Sequence, residues 1–154
     1  MYTIVIPKDE LQQRISSQFP ISTTPLLLSF EISDPVVYFK GNNVGLKVRT
    51  ELVLLMPSSA ARYNGDADVN GAVVYNKNTK SFYLKDVMIE KLTLSDKQSN
   101  VQELPSKHKE ELKAALEKVP IYSLNQKDFK HSLVKLFLKD VSVRDEKLIL
   151  SLGV

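Results

Sequence analysis

Long runs of strict apolar–polar alternation occupy the middle of the chain and leave little choice of architecture. Between Val44 and Met56, the side chains of Val44, Leu46, Val48, Leu52, Leu54 and Met56 fall on one face of an extended chain, and Gly45, Lys47, Arg49 and Glu51 fall on the other. Successive strand residues point to opposite sides, so this period predicts a sheet with one buried face and one wet face. At about 13 residues, the run is more than twice the usual strand length. Leu26, Leu28, Phe30 and Ile32 alternate with Ser29, Glu31 and Ser33 in the same way. So do Ala67, Val69, Gly71, Val73 and Tyr75 against Asp66, Asp68 and Asn70. From Phe82 to Leu94 the phase slips twice, after Lys85-Asp86 and after Glu90-Lys91. Each slip predicts a β-bulge, which bends and twists a sheet. Asp34-Pro35 predicts a break before an extended Val36–Phe39. Gly41-Asn42-Asn43 and Asn76–Lys80 predict turns, and Pro57–Asn64 a loop.

On either side of these strands the period becomes helical. Tyr2–Ile6 reads as a short strand and Pro7-Lys8-Asp9-Glu10 as a helix start. Leu11, Ile15 and Phe19 then fall at i, i+4 and i+8, before Pro20 ends the run. So narrow a stripe predicts an outer helix laid along the sheet, with Gln12, Gln13, Ser16 and Ser17 facing water. Ser106 can cap a second helix running to Val119, with Leu112, Ala115, Leu116 and Val119 on one face and Pro120 as the stop. Ile121–Leu124 is a short extended piece. Asn125 can cap a third helix, with Asp128 as its capping-box partner. Phe129, Leu133, Leu136 and Phe137 form the stripe of that helix, widened by Val134 and Leu138. Val141 and Val143, then Leu148, Leu150 and Leu152, predict a closing hairpin around Arg144-Asp145-Glu146-Lys147. Long strands joined by polar turns imply an antiparallel sheet, and helices grouped outside the strand run imply the α+β class.

Most kinds of chemistry are excluded by what is absent. A chain of 154 residues fits one domain, 1–154. It has no cysteine, so thiolate catalysis, disulfides and Cys-based zinc sites are excluded from these residues. No stretch of about 18 apolar residues offers a membrane span. The net charge is only +3, and the densest basic cluster (Lys107, Lys109, Lys113) is interleaved with Glu110, Glu111 and Glu117. Mixed charge of that kind reads as a solvated helix face, and no nucleic-acid partner is expected. Asp66, Asp68, Asn70 and Gly71 match the opening of a calcium loop, D-x-D-x-N-G. The twelfth position is Lys77, where calcium needs a bidentate glutamate, so the polar residues are better read as the wet face of a strand. His108 and His131 lie on different predicted helices and read as surface histidines, too few for a metal centre. G-x-S-x-G, G-x-G-x-x-G and the P-loop are all missing. Neither enzymatic activity nor a cofactor is expected.

What remains is a surplus of apolar faces. A filled core would use these residues, and so would a curved sheet around helices that leaves an apolar groove for an acyl chain. Leu11, Ile15, Phe19, Leu112, Leu116, Phe129, Leu133 and Phe137 are the candidate lining.

Three stretches carry a resemblance: YTIVIPKDELQQRI at the start, SFYLKDVMIEKLTL with LPSKHKEELKAAL, and VPIYSL with the closing VRDEKLILSL. In this order they resemble the YceB-like lipoprotein family of Gram-negative bacteria, a family of unknown function. The resemblance implies a fold similar to tubular lipid-binding domains, a curved antiparallel sheet around amphipathic helices. It also implies an export signal and a lipid anchor upstream of Tyr2, and a place on the periplasmic side of the envelope, at the outer membrane. It carries over no catalytic residue. The expected partner is a lipid or other hydrophobic small molecule, and the alternative is a scaffold that binds an envelope protein. This chain departs from the pattern at Pro7, where a hydroxyl cap would be usual, and at Asp34-Pro35.

Overall fold

The alternating runs become a continuous antiparallel meander. A computed structural model describes residues 2–23, 28–57, 59–95, 106–125 and 127–153. The chain enters through β1 (Tyr2–Pro7) and α1 (Lys8–Ser16), then forms β2 (Ile21–Thr23), β3 (Leu28–Lys40), β4 (Asn43–Met56), β5 (Ser59–Asn76) and β6 (Ser81–Ser95). Next come α2 (Ser106–Glu117), β7 (Tyr122–Ser123), α3 (Phe129–Phe137), β8 (Leu138–Arg144) and β9 (Lys147–Leu152). Strands β2 to β7 form one six-stranded sheet in chain order, and β1, β9 and β8 form a second sheet of three. The larger sheet is open and curved, and the architecture is the expected α+β one.

Both bulges of β6 fall where the phase slips. Lys91 faces Asp68 and Ile89 faces Val69, so Glu90 is an extra residue. Met88 faces Asn70 and Lys85 faces Ala72, which leaves another extra residue beside Asp86, whose φ is 53°. The calcium-like run lies inside β5, with Asp66 opposite Arg49 and Thr93, as the alternation requires.

Two expectations about the strands need correction. Asp34-Pro35 does not end a strand. It forms a bulge within β3, with the register shifting between Ser33 and Val36 and Asp34 at φ 52°. Nor are residues 59–64 a loop: β5 begins at Ser59, and Arg62, Tyr63 and Asn64 pair with Val53, Leu52 and Glu51. Small and polar residues there hide the strand from a reading based on β-propensity, while pairing with the long β4 imposes it.

Helix α1 shows why the β3 bulge is tolerated. Its Gln12 amide donates to the Pro35 carbonyl at 2.7 Å and accepts the Val37 N–H at 2.7 Å. A bulge takes backbone groups out of the ladder, and buried groups of this kind need partners. Gln12 was expected to face water and instead supplies both partners. Beside Gln12 on α1, roughly 60–100° around the helix, Leu11 and Ile15 are fully enclosed. Pro7 precedes the helix with extended backbone and no side-chain cap, while Asp9 and Glu10 in the first turn and Arg14 in the last complement the helix dipole.

A single core lies between the larger sheet and its cover. The inward residues Ile32, Leu46, Val48, Leu52, Val69, Phe82 and Leu84 pack with Leu11 and Ile15 of α1, Leu112 and Leu116 of α2, and Ile6, Leu148 and Leu150 of the small sheet. Each fully buried side chain of this size contributes about 1.5–3 kcal/mol. The β8–β9 hairpin turns through Asp145 and Glu146, both left-handed (φ 52° and 58°), as a tight two-residue turn between twisted strands demands.

Candidate functional site

The eight residues expected to line one apolar surface fall into two groups. Leu11, Ile15, Leu112 and Leu116 belong to the packed core, and Phe19 and Leu133 lie partly buried against it. Phe129 is 76% exposed and Phe137 41%, and Leu136 beside them is 74% exposed. Phe129, Leu136 and Phe137 of the α3 stripe therefore point outward, while Leu133 leans on the core. The side of α3 that packs inward carries Val134 and His131, at 0% and 6% exposure. At about 100° per residue, Leu136 lies roughly 20° from Phe129 around the helix, whereas Val134 and His131 lie roughly 140° and 200° away.

His131 explains this orientation, and its role as a surface residue is corrected. The Asn125 backbone N–H donates to its Nδ1 at 2.6 Å. Because Nδ1 accepts, the ring proton belongs on Nε2, which reaches the Tyr122 hydroxyl at 3.1 Å. That hydroxyl donates to Glu10 Oε1 at 3.0 Å, and the Arg14 guanidinium lies 4.9 Å from the Tyr122 ring centre. One chain of hydrogen bonds thus ties α3 to β7 and α1. It satisfies the polar groups that the helix buries, so the apolar stripe is left for the outside. The cap of α3 also differs from expectation. Asp128 sits at the N-cap and accepts from the Lys130 N–H at 2.9 Å, while Asn125 accepts from Lys127 N–H in the preceding turn. His131 and Val134 share i, i+3 spacing on the side of the helix away from Phe129, and that spacing was the available signal. The side chain of His108 lies outside the described residues.

The outer face of the large sheet carries a separate polar network. Tyr38 donates to the Asp68 carboxylate, and Lys47 Nζ lies 5.8 Å from the Tyr38 ring centre. Asn70, buried among these strands, donates to Glu90 Oε1 at 2.9 Å and accepts from Asn43 at 2.9 Å, and Lys40 reaches Glu90 at 2.7 Å. The hydrogen bond from Lys40, with that from Asn70, holds the Glu90 carboxyl below its usual range. An open depression of about 630 Å³ beside this network is lined by residues of both charge signs, among them Lys47, Arg49, Asp66 and Asp68. Val36, Val48 and Ala67 share that lining, so the depression mixes charged and apolar surface. Among the described residues no cluster of His, Asp and Glu could hold a metal ion.

The phenols report on both networks. Burial, then the hydrogen bond and charge of Asp68, push Tyr38 up to about 12. Burial and then the Glu10 charge push Tyr122 higher still, and burial also raises Tyr75. In each case the folded protein favours the neutral phenol. The associated stabilisation is therefore present below the unfolded value of about 10 and is lost as pH rises through the folded value. Tyr38, Tyr75 and Tyr122 are expected to ionise above the ordinary tyrosine value in an ultraviolet titration. The upward shift should vanish in denaturant, and stability should fall as pH rises from about 10 to 12. Ionisation of these three phenols near the ordinary value would contradict these environments.

The matched family profile spans residues 6–147, nearly the whole domain just described. The chain belongs to that family, described as "Protein of unknown function (DUF1439)". No curated protein matches the sequence. Among solved structures, one titled "Crystal structure of lipopolysaccharide binding protein" is similar over 97% of this chain and 40% of its own length, at 13% identity and a TM-score of 0.34. The chain spans about two-fifths of the length of that protein.

Proposed function

We propose that this domain is a non-enzymatic module of the cell envelope that binds a lipid or another hydrophobic ligand, and that the outward face of α3 is where it does so. The observation that carries this reading is the exposure of Phe129 and Leu136, 76% and 74%, on a helix whose inward side is already occupied. Large apolar side chains grouped on a surface mark a contact made with something else. The polar groups best placed for chemistry, His131, Tyr122 and Glu10, are engaged in holding α3 to the body, which supports a binding role over a catalytic one. Resemblance to envelope lipoproteins supports a position on the periplasmic side, tethered upstream of Tyr2.

Titration with a fluorescent single-chain fatty acid tests this reading. Saturable binding is expected, and it should be lost in a Phe129→Ser/Leu136→Ser variant. Absence of binding by the unmodified protein would sink the lipid reading, and binding that survives in the variant would move the site away from α3.

A second reading is favoured by β1, which lies at the edge of the three-stranded sheet with Val5 47% exposed. An open strand edge can add a strand from a protein partner, as a scaffold would. Pull-down from envelope extracts that depends on β1 and not on α3 would favour it.

A further inference from the structure

We propose that α3 meets its lipid as a surface, lying flat on a membrane that carries anionic headgroups. This rests on reading the outward face of α3 as lipid-contacting, and goes further by naming the form and charge of the partner. Three observations support it. Phe129 and Leu136 project directly away from the core, and Leu133 and Phe137 flank them at roughly 40° and 80° around the helix. Lys130, exposed at roughly 100°, borders that apolar strip beside Phe137, while Lys135, half-buried at roughly 240°, lies between Leu136 and the inward side. Lys139 is exposed two residues beyond the helix. None of these three lysines is in an ion pair among the described residues; of the carboxylates beside them in the chain, Asp128 accepts from the Lys130 N–H as the helix cap, and Asp140 is exposed next to Lys139. An apolar strip bordered by Lys130, with Lys135 and Lys139 near its C-terminal end, matches a helix that lies in the interface, its rings among the acyl chains and its ammonium groups at the phosphates. A helix of nine residues is too short for strong binding alone, so contact of this kind orients a domain already held near a membrane.

The test is co-sedimentation of the purified protein with phosphatidylethanolamine vesicles containing phosphatidylglycerol, and with phosphatidylcholine vesicles. Binding to the anionic vesicles is expected, weakening as salt is raised. Phe129→Ser/Leu136→Ser should reduce it by at least about tenfold with no loss of thermal stability. Lys130→Gln/Lys135→Gln should remove the preference for anionic vesicles while leaving fatty-acid binding intact. Binding of the fatty acid without vesicle binding would overturn the membrane inference and leave the lipid reading standing; loss of both would overturn both. Equal binding to the two vesicle types would also overturn it. So would a dimer in solution that the serine variant dissolves while the protein ignores vesicles, since that outcome assigns the face to a second copy of the chain.

Discussion

Gly65→Ala is expected to destabilise the protein by at least about 3 kcal/mol, because the added methyl would meet backbone rather than a side chain. Gly65 pairs with Leu94 of β6 and Thr50 of β4. A Cβ there would land on the Thr93 carbonyl oxygen, with its carbon only 2.7 Å away and Leu94 Cα at 3.0 Å. A rotamer change cannot relieve that clash, so β5 and β6 would have to separate across a long ladder. At Gly71, a Cβ would lie 2.8 Å from the Lys85 carbonyl oxygen, a milder conflict beside a bulge that already loosens the pairing. Denaturant unfolding should therefore rank Gly65→Ala as more damaging than Gly71→Ala. A Gly65→Ala variant as stable as the parent would mean that β5 and β6 do not approach as described.

The second large effect separates the two helical stripes. Leu11→Ala removes a fully enclosed side chain from between α1 and the sheet, and is expected to cost about 2–5 kcal/mol. Phe129→Ala removes a larger side chain of similar apolar character, yet stability should change by no more than about 0.5 kcal/mol because that ring is 76% exposed. Thermal or urea unfolding of the two variants is the check. A large loss from Phe129→Ala would place that ring inside a core, and α3 would then have no outward apolar face to offer a ligand.

The stripes also show how far the sequence could be read. Period two identified β4 and the wet and dry faces of the meander, because a half-buried strand cannot hide its alternation. Phase slips located both β6 bulges for the same reason. Helical period found all three helices, but a stripe has no sign: it says which residues share a face, not whether that face packs inward. Burial decided that for α1 and α2. On α3 the decision came from His131, which bonds Asn125 and Tyr122 and, through the Tyr122 hydroxyl, is tied to Glu10, 112 residues from Tyr122 in the chain and brought close only by the fold. Gln12 was illegible on the same ground, since its role depends on a bulge 23 residues away. Hydrogen bonds between distant residues leave no periodic trace. Nor did the sequence indicate that β1 would pair with β9.

That last pairing has a consequence for when the domain becomes whole. The meander from β2 to β6 consists of neighbouring hairpins, each able to zip from its own turn. Tyr2, by contrast, finds its partner at Leu152 and Ile6 at Leu148. Closing so long a stretch of chain is the slow, entropically costly kind of event, and its reward arrives only once the ends meet. On a chain that emerges from its first residue onward, β1 must wait, with Ile4 and Ile6 uncovered, until nearly everything else has appeared. The first strand made is the last one sheltered, and through that interval the domain depends on whatever keeps its leading segment from finding another partner.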